Sequence, residues 1–112
     1  GPRSLVMYSL CLYAPETSLE AVKTAVFAAG AGRIGNYDQC CWQVAGQGQF
    51  RPLKGSDPAI GVQDDLETLQ EYRVEMVCAP GCIRAAVEAM KAAHPYEEPA
   101  WHVLKMVTDL PD

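Results

Sequence analysis

Residues 67–78 alternate strictly, with Leu69, Glu71, Arg73 and Glu75 on one side and Gln70, Tyr72, Val74, Met76 and Cys78 on the other. A period of two belongs to a β-strand with one buried face, because successive side chains leave opposite sides of the pleat. Two other stretches carry apolar residues at spacings of three and four. Leu19, Val22, Val26 and Phe27 predict a helix that is capped by Thr17 or Ser18 and ends at Gly30. Ile83, Ala86, Val87 and Met90 form the apolar stripe of a second helix, from Gly81 or Cys82 to Ala93, with Arg84, Glu88 and Lys91 opposite. Pro95 stops it. Residues 5–13 are an apolar run ending at Ala14-Pro15, which suits a buried strand. Residues 37–44 and 49–53 read as two strands around the glycine-bearing turn Ala45-Gly46-Gln47-Gly48. Residues 100–107 form the last strand, with Trp101, Val103 and Met106, or His102, Leu104 and Val107, toward the core. Between 54 and 65, Gly, Ser, Asp, Pro and Gln dominate, so this connection is expected to be exposed and the most mobile part of the chain.

The halves echo each other. Cys11-Leu12-Tyr13-Ala14-Pro15 precedes the first helix and Val77-Cys78-Ala79-Pro80 the second, and both helices close on Ala-Ala. Two strand-helix-strand units predict an α+β, ferredoxin-like split β-α-β domain, β-α-β-β-α-β with an extra hairpin strand, spanning residues 5–108. Residues 1–4 read as a tag remnant, Gly1-Pro2 above all, and 109–112 as a frayed tail. Helices on one side leave the other sheet face bare. If it carries Trp42, Tyr72 or Trp101, a second copy is expected to cover it, so the chain is expected to be a homo-oligomer.

Composition narrows the function classes. With 112 residues, 49% hydrophobic and 21% charged, the chain has room for one packed domain. Its net charge of −5 and pI near 4.9 oppose a phosphate backbone, and its nine Lys and Arg are scattered, so no nucleic-acid partner is expected. No apolar run approaches the roughly 20 residues that span a bilayer, so no membrane partner is expected either. Five cysteines, an odd number that includes the adjacent Cys40-Cys41, suit a reducing, cytoplasmic setting.

Three motifs bear on chemistry. Gly30-Ala31-Gly32-Arg33-Ile34-Gly35 fits the dinucleotide fingerprint G-x-G-x-x-G, but it follows a helix and leads into a strand, the reverse of the order that points a helix N-terminus at a pyrophosphate. A glycine-rich helix cap is the better reading, with anion binding at exposed amides beside Arg33 as the alternative. Cys78 and Cys82 lie at a strand end and a helix start, where a thiolate gains from the helix dipole; without a second ligand pair they read as ordinary cysteines. The segment His94-Pro95-Tyr96-Glu97-Glu98-Pro99 sets an imidazole, a phenol and two carboxylates in a loop stiffened by proline. Adjacent Glu97 and Glu98 diverge in an extended loop and do not form a close acid pair. A divalent metal held by His94, Glu97 and Glu98 would need a further ligand, for which His102 is the only other imidazole.

These segments also carry a resemblance. Residues 30–38, Gly46-Gln47-Gly48-Gln49-Phe50-Arg51-Pro52, Glu75-Met76-Val77-Cys78 and Ala93-His94-Pro95-Tyr96-Glu97-Glu98-Pro99-Ala100 resemble the dinuclear-metal-centre hexameric proteins of the YqfO type, related to the yeast Ngg-interacting factor. The likeness is to the PII/CutA-like domain inserted between the two metal-binding halves of that family. It implies the PII/CutA fold, a trimer, and the rigid 94–99 loop as binding site. The family's metal ligands lie in the halves that this chain does not contain, so no ligand set and no hydrolase activity carries over. Where the family has Tyr-Asp after Pro-Ala, this chain has Trp101-His102.

The reading is therefore an oligomeric module, without a catalytic centre of its own, that binds a small ligand, ion or protein partner through His94, Tyr96, Glu97 and Glu98, with Arg33 and Arg51 as further contacts. The alternative is a metal-binding protein or metal-dependent enzyme with a site at His94, Glu97, Glu98 and His102.

Overall fold

A computed structural model describes residues 6–112. Strand β1 (Met7–Pro15) leads through one 3-10 turn (Glu16–Ser18) into helix α1 (Leu19–Ala28). Strands β2 (Trp42–Phe50) and β3 (Glu67–Cys78), helix α2 (Pro80–Ala93) and strand β4 (Trp101–Met106) follow. The strands form one antiparallel sheet in the order β2-β3-β1-β4, the split β-α-β arrangement that the echoing halves predict. Leu5, the predicted start of the first strand, lies outside the described residues.

Register divides the sheet into two unlike faces. Leu10 stands opposite Met76 and Val103, and Leu12 opposite Val74 and Trp101. This face packs against Leu19, Val22 and Val26 of α1 and Ala86 and Met90 of α2 to make the core. The other face carries Trp42, Val44, Arg73, Glu75, Cys11, His102 and Leu104 and has no helix over it, with Trp42 72% and Leu104 59% exposed. Of the three aromatics proposed for it, only Trp42 lies there. Tyr72 packs against the core, and the Trp101 ring meets the Lys91 ammonium of α2 at 4.9 Å, because even-numbered positions of β3 and odd-numbered positions of β4 share the helix side.

The helix ends obey local rules. Past α1, Gly30 N–H bonds to Phe27 O at 3.0 Å and Ala31 N–H to Val26 O at 3.1 Å, a Schellman closure for which Gly30 supplies a φ of +107°. Gly30, the first of the fingerprint-like glycines, is thus a helix cap, and Gly32 and Gly35 lie in the loop that follows. Capping by Ser18 does not occur: its hydroxyl turns back to Pro15 O at 3.4 Å, since the 3-10 turn already sets the direction of α1. Helix α2 starts one residue earlier than predicted, on Pro80 at its first turn, where a missing N–H costs nothing.

The predicted hairpin at 45–48 is not formed, and with it goes the extra strand. Gly46 and Gly48 run through the middle of one continuous strand, β2, which pairs with β3 from Trp42 opposite Glu75 to Phe50 opposite Glu67. The turn is the long 51–66 connection instead. Its ends are clasped by Asp64 N–H to Pro52 O at 2.7 Å, and its middle docks on the 94–99 loop through Asp57 N–H to the Glu97 carboxylate at 3.3 and 3.4 Å. Among the described residues no helix is long and apolar enough to cross a membrane.

Candidate functional site

Pro95 removes an N–H and crowds the residue before it, so His94 leaves the helical conformation (φ −78°, ψ 135°) while its own N–H still bonds to Met90 O at 2.9 Å. That extended backbone carries the imidazole under β1, where His94 is only 7% exposed. Its Nε2 lies 2.7 Å from Tyr13 O, and its Nδ1 accepts the Tyr96 N–H at 3.1 Å. A carbonyl can only accept and an N–H can only donate, so the ring is neutral with its proton on Nε2. Both nitrogens are in use, and the histidine rivets the end of α2 to β1 while holding the loop in shape.

The loop then presents Tyr96. Its ring tilts against His94 with centroids 4.8 Å apart and against Phe50 at 6.0 Å. Its hydroxyl donates to Glu71 Oε2 at 3.0 Å, reaching across to the helix-free side of β3. Burial, and then the bonded Glu71 carboxylate, push the phenol far above its ordinary range, so Tyr96 stays protonated. Gly48 makes room for this pair: a methyl group there would overlap the Glu71 carboxylate.

These contacts enclose a cleft of about 290 Å³ at the end of the sheet. Tyr13, Phe50 and Tyr96 give it aromatic walls, Pro52, Pro58, Ala59, Ile60 and Ala100 close it with apolar surface, and Glu71, Glu97 and Glu98 bring three carboxylates to it. Phe50, Tyr96 and Ile60 are half-buried, whereas Glu97 and Glu98 are exposed at the mouth.

Of the residues singled out from the sequence, Tyr96, Glu97 and Glu98 line this cleft and His94 supports it from behind. Arg51 follows Phe50 at the end of β2, exposed and outside the lining. Arg33 is also exposed and sits at the other end of the sheet, beside Gly32, whose N–H bonds to Val77 O at 2.8 Å. Six strand residues, roughly 20 Å, separate Val77 from Glu71. His102 stands opposite Cys11 on the helix-free face. Among the described residues no three His, Cys, Asp or Glu converge where one metal ion could be held, so His94, Glu97, Glu98 and His102 are not gathered into one set within the chain. Cys78 is buried in the core, which raises its thiol pKa, with Cys82 adding to the effect.

Sequence reasoning missed Tyr13, Phe50, Ile60 and Glu71. One signal was available: a glycine inside a strand marks a close approach, and Gly48 lies beside Glu71.

No family model matches the chain. The GTP cyclohydrolase 1 type 2 homolog of Mycobacterium tuberculosis is 53% identical over 97 residues, 86% of this chain and 25% of that protein. The chain thus spans about a quarter of the length of the curated relatives it matches. Among solved structures, the Bacillus cereus protein related to NIF3 superposes with a TM-score of 0.79 at 34% identity, covering 94% of this chain and 27% of that one. CutA of Xylella fastidiosa matches as a nearly whole chain, 96% of this one and 89% of its own, with a TM-score of 0.65 and 22% identity, a likeness of fold alone. By sequence and by fold, therefore, the chain is similar to one CutA-like portion, about a quarter of the length, of the NIF3-related GTP cyclohydrolase 1 type 2 homologs.

Proposed function

We propose that this chain is a binding module without a catalytic centre of its own, that it takes its ligand in the cleft beneath the 94–99 loop, and that it assembles as a trimer through the helix-free sheet face in a reducing, cytoplasmic setting. The observation that carries the reading is the cleft, in which Tyr96, Glu97 and Glu98 meet aromatic and apolar walls from three other parts of the chain. Small-molecule sites have this composition: mostly apolar surface with a few converging polar groups, placed on stiff elements. His94 fits a supporting role, since both of its ring nitrogens already bond to backbone. Assembly is supported by Trp42, Val44 and Leu104, which expose apolar surface on one sheet face.

Two measurements test the two halves. A methyl NMR screen of a chemically mixed fragment set should return hits that shift Ala59, Ile60 and Ala100. Hits confined to other surfaces, or none at all, would remove the site. Light scattering should report about three chains, and a monomer at high concentration would remove the assembly.

A further inference from the structure

The walls of the cleft carry one sign of charge. Three carboxylates reach it, from Glu71, Glu97 and Glu98, and no lysine or arginine lines it. Arg73, on the adjoining surface, is committed elsewhere, its Nη2 bonding to Glu75 Oε1 at 2.7 Å, and Arg51, between the lining residues Phe50 and Pro52, is exposed and stays outside the lining. Glu71 and Glu97 each accept a hydrogen bond, from a neutral phenol and from a backbone N–H, and neither donor cancels a charge. An anion would meet repulsion here. A neutral ligand would use the apolar walls and leave the carboxylates unanswered.

A compact metal ion does not answer them either, because among the described residues no three ligating side chains converge on one point. The charge is spread instead around a space of about 290 Å³ whose walls include the rings of Tyr13, Phe50 and Tyr96. Aromatic faces attract cations, and the half-buried Glu71 and the exposed Glu97 and Glu98 at the mouth offer carboxylates that accept the N–H donors of an ammonium group. Apolar surface from Pro52 and Ile60 continues inward from that rim and fits a hydrocarbon stem.

We propose that the ligand of this cleft is an organic ammonium, a primary amine in its protonated form carried on an apolar stem. The inference rests on the preceding reading of the cleft as a binding site and adds the sign and class of the ligand. The same chemistry comes from a free alkylamine or from a lysine side chain, and one arm of the test separates them.

The test uses three probes of equal length and different charge, n-hexylammonium, 1-hexanol and hexanoate, titrated against the isotope-labelled chain at low salt. Hexylammonium is expected to shift Phe50, Ile60 and Tyr96 in a saturable way, at least roughly tenfold more tightly than hexanol, with no response to hexanoate. Replacing both mouth carboxylates (Glu97→Gln with Glu98→Gln) should weaken hexylammonium roughly tenfold and leave hexanol unchanged. Both side chains are exposed, and a glutamine carbonyl at position 97 can still accept the Asp57 N–H, so the variant is expected to keep the parent spectrum elsewhere. Nα-acetyl-lysine methylamide binding more tightly than hexylammonium would identify the source as a lysine side chain; the reverse would identify a free amine. Hexanol or hexanoate shifting the same residues as strongly as hexylammonium would overturn the ammonium class while leaving the cleft a binding site. Failure of hexylammonium to shift any cleft residue would overturn it too, and the mixed-fragment screen then decides the site independently.

Discussion

His94→Ala is the substitution whose consequence follows most directly from the structure. The ring is buried and makes two hydrogen bonds, Nε2–H to Tyr13 O and Nδ1 from Tyr96 N–H, which together tie α2, β1 and the 94–99 loop. Each bond is worth about 1 kcal/mol net, and loss of the imidazole strands a carbonyl and an N–H in a confined space while opening a small void. The expected loss is about 3 kcal/mol, measured by urea unfolding at fixed protein concentration so that assembly does not enter the comparison. Two further variants divide it. Asn reaches the position of Nδ1 and can keep the loop bond, whereas Gln reaches the position of Nε2 and can keep the strand bond, so each should recover about 1 kcal/mol. Because Tyr96 is held by the loop bond, His94→Gln should disturb the cleft resonances more than His94→Asn. An alanine variant within about 0.5 kcal/mol of the parent would refute the rivet, and with it the reason the loop keeps its shape.

Three other outcomes are expected. Gly48→Ala should displace the Glu71 carboxylate and cost about 1 kcal/mol, a penalty that vanishes when Glu71 is already Ala; additive losses in that double-mutant cycle would contradict the crowding. In an alkaline spectroscopic titration Tyr96 should lag behind the ordinary tyrosine range near pH 10, as should Tyr13, whose phenol is raised first by neighbouring Cys11 and then by burial. A folded-state value above the unfolded one means that the stability contributed by the Tyr96 phenol is complete below about pH 10 and is lost only as pH rises through the folded value; Tyr96→Phe should therefore remove a late-titrating group and not an early one. Trp42→Asp combined with Leu104→Asp, both on the helix-free face, should lower the mass seen by light scattering to that of one chain while preserving the circular dichroism spectrum.

Much of the fold was legible because its signals are local. The alternation over β3 and the stripes Leu19, Val22, Val26 and Ile83, Ala86, Met90 each follow from a single element burying one face. The misreading of β2 has an equally local cause. Gly46 and Gly48 carry the composition of a turn, but both are extended in the strand, and Gly48 is small for the sake of Glu71, a residue on the neighbouring strand. The cleft was beyond local reasoning. Tyr96 meets Glu71 across 25 positions, and Asp57 meets Glu97 across 40. The motif at 94–99 is the loop that borders the cleft, and proline geometry turns the His94 ring inward, where both of its nitrogens bond to backbone, a placement that no local pattern in the sequence carries.

The central claim is that the cleft under the 94–99 loop is where this chain binds its ligand, and a crystallographic fragment survey tests it most directly. The account predicts bound density bounded by Tyr96, Phe50 and Ile60 with its polar atoms toward Glu71 or Glu97. Fragments settling repeatedly on other surfaces, with this cleft unoccupied throughout, would contradict it.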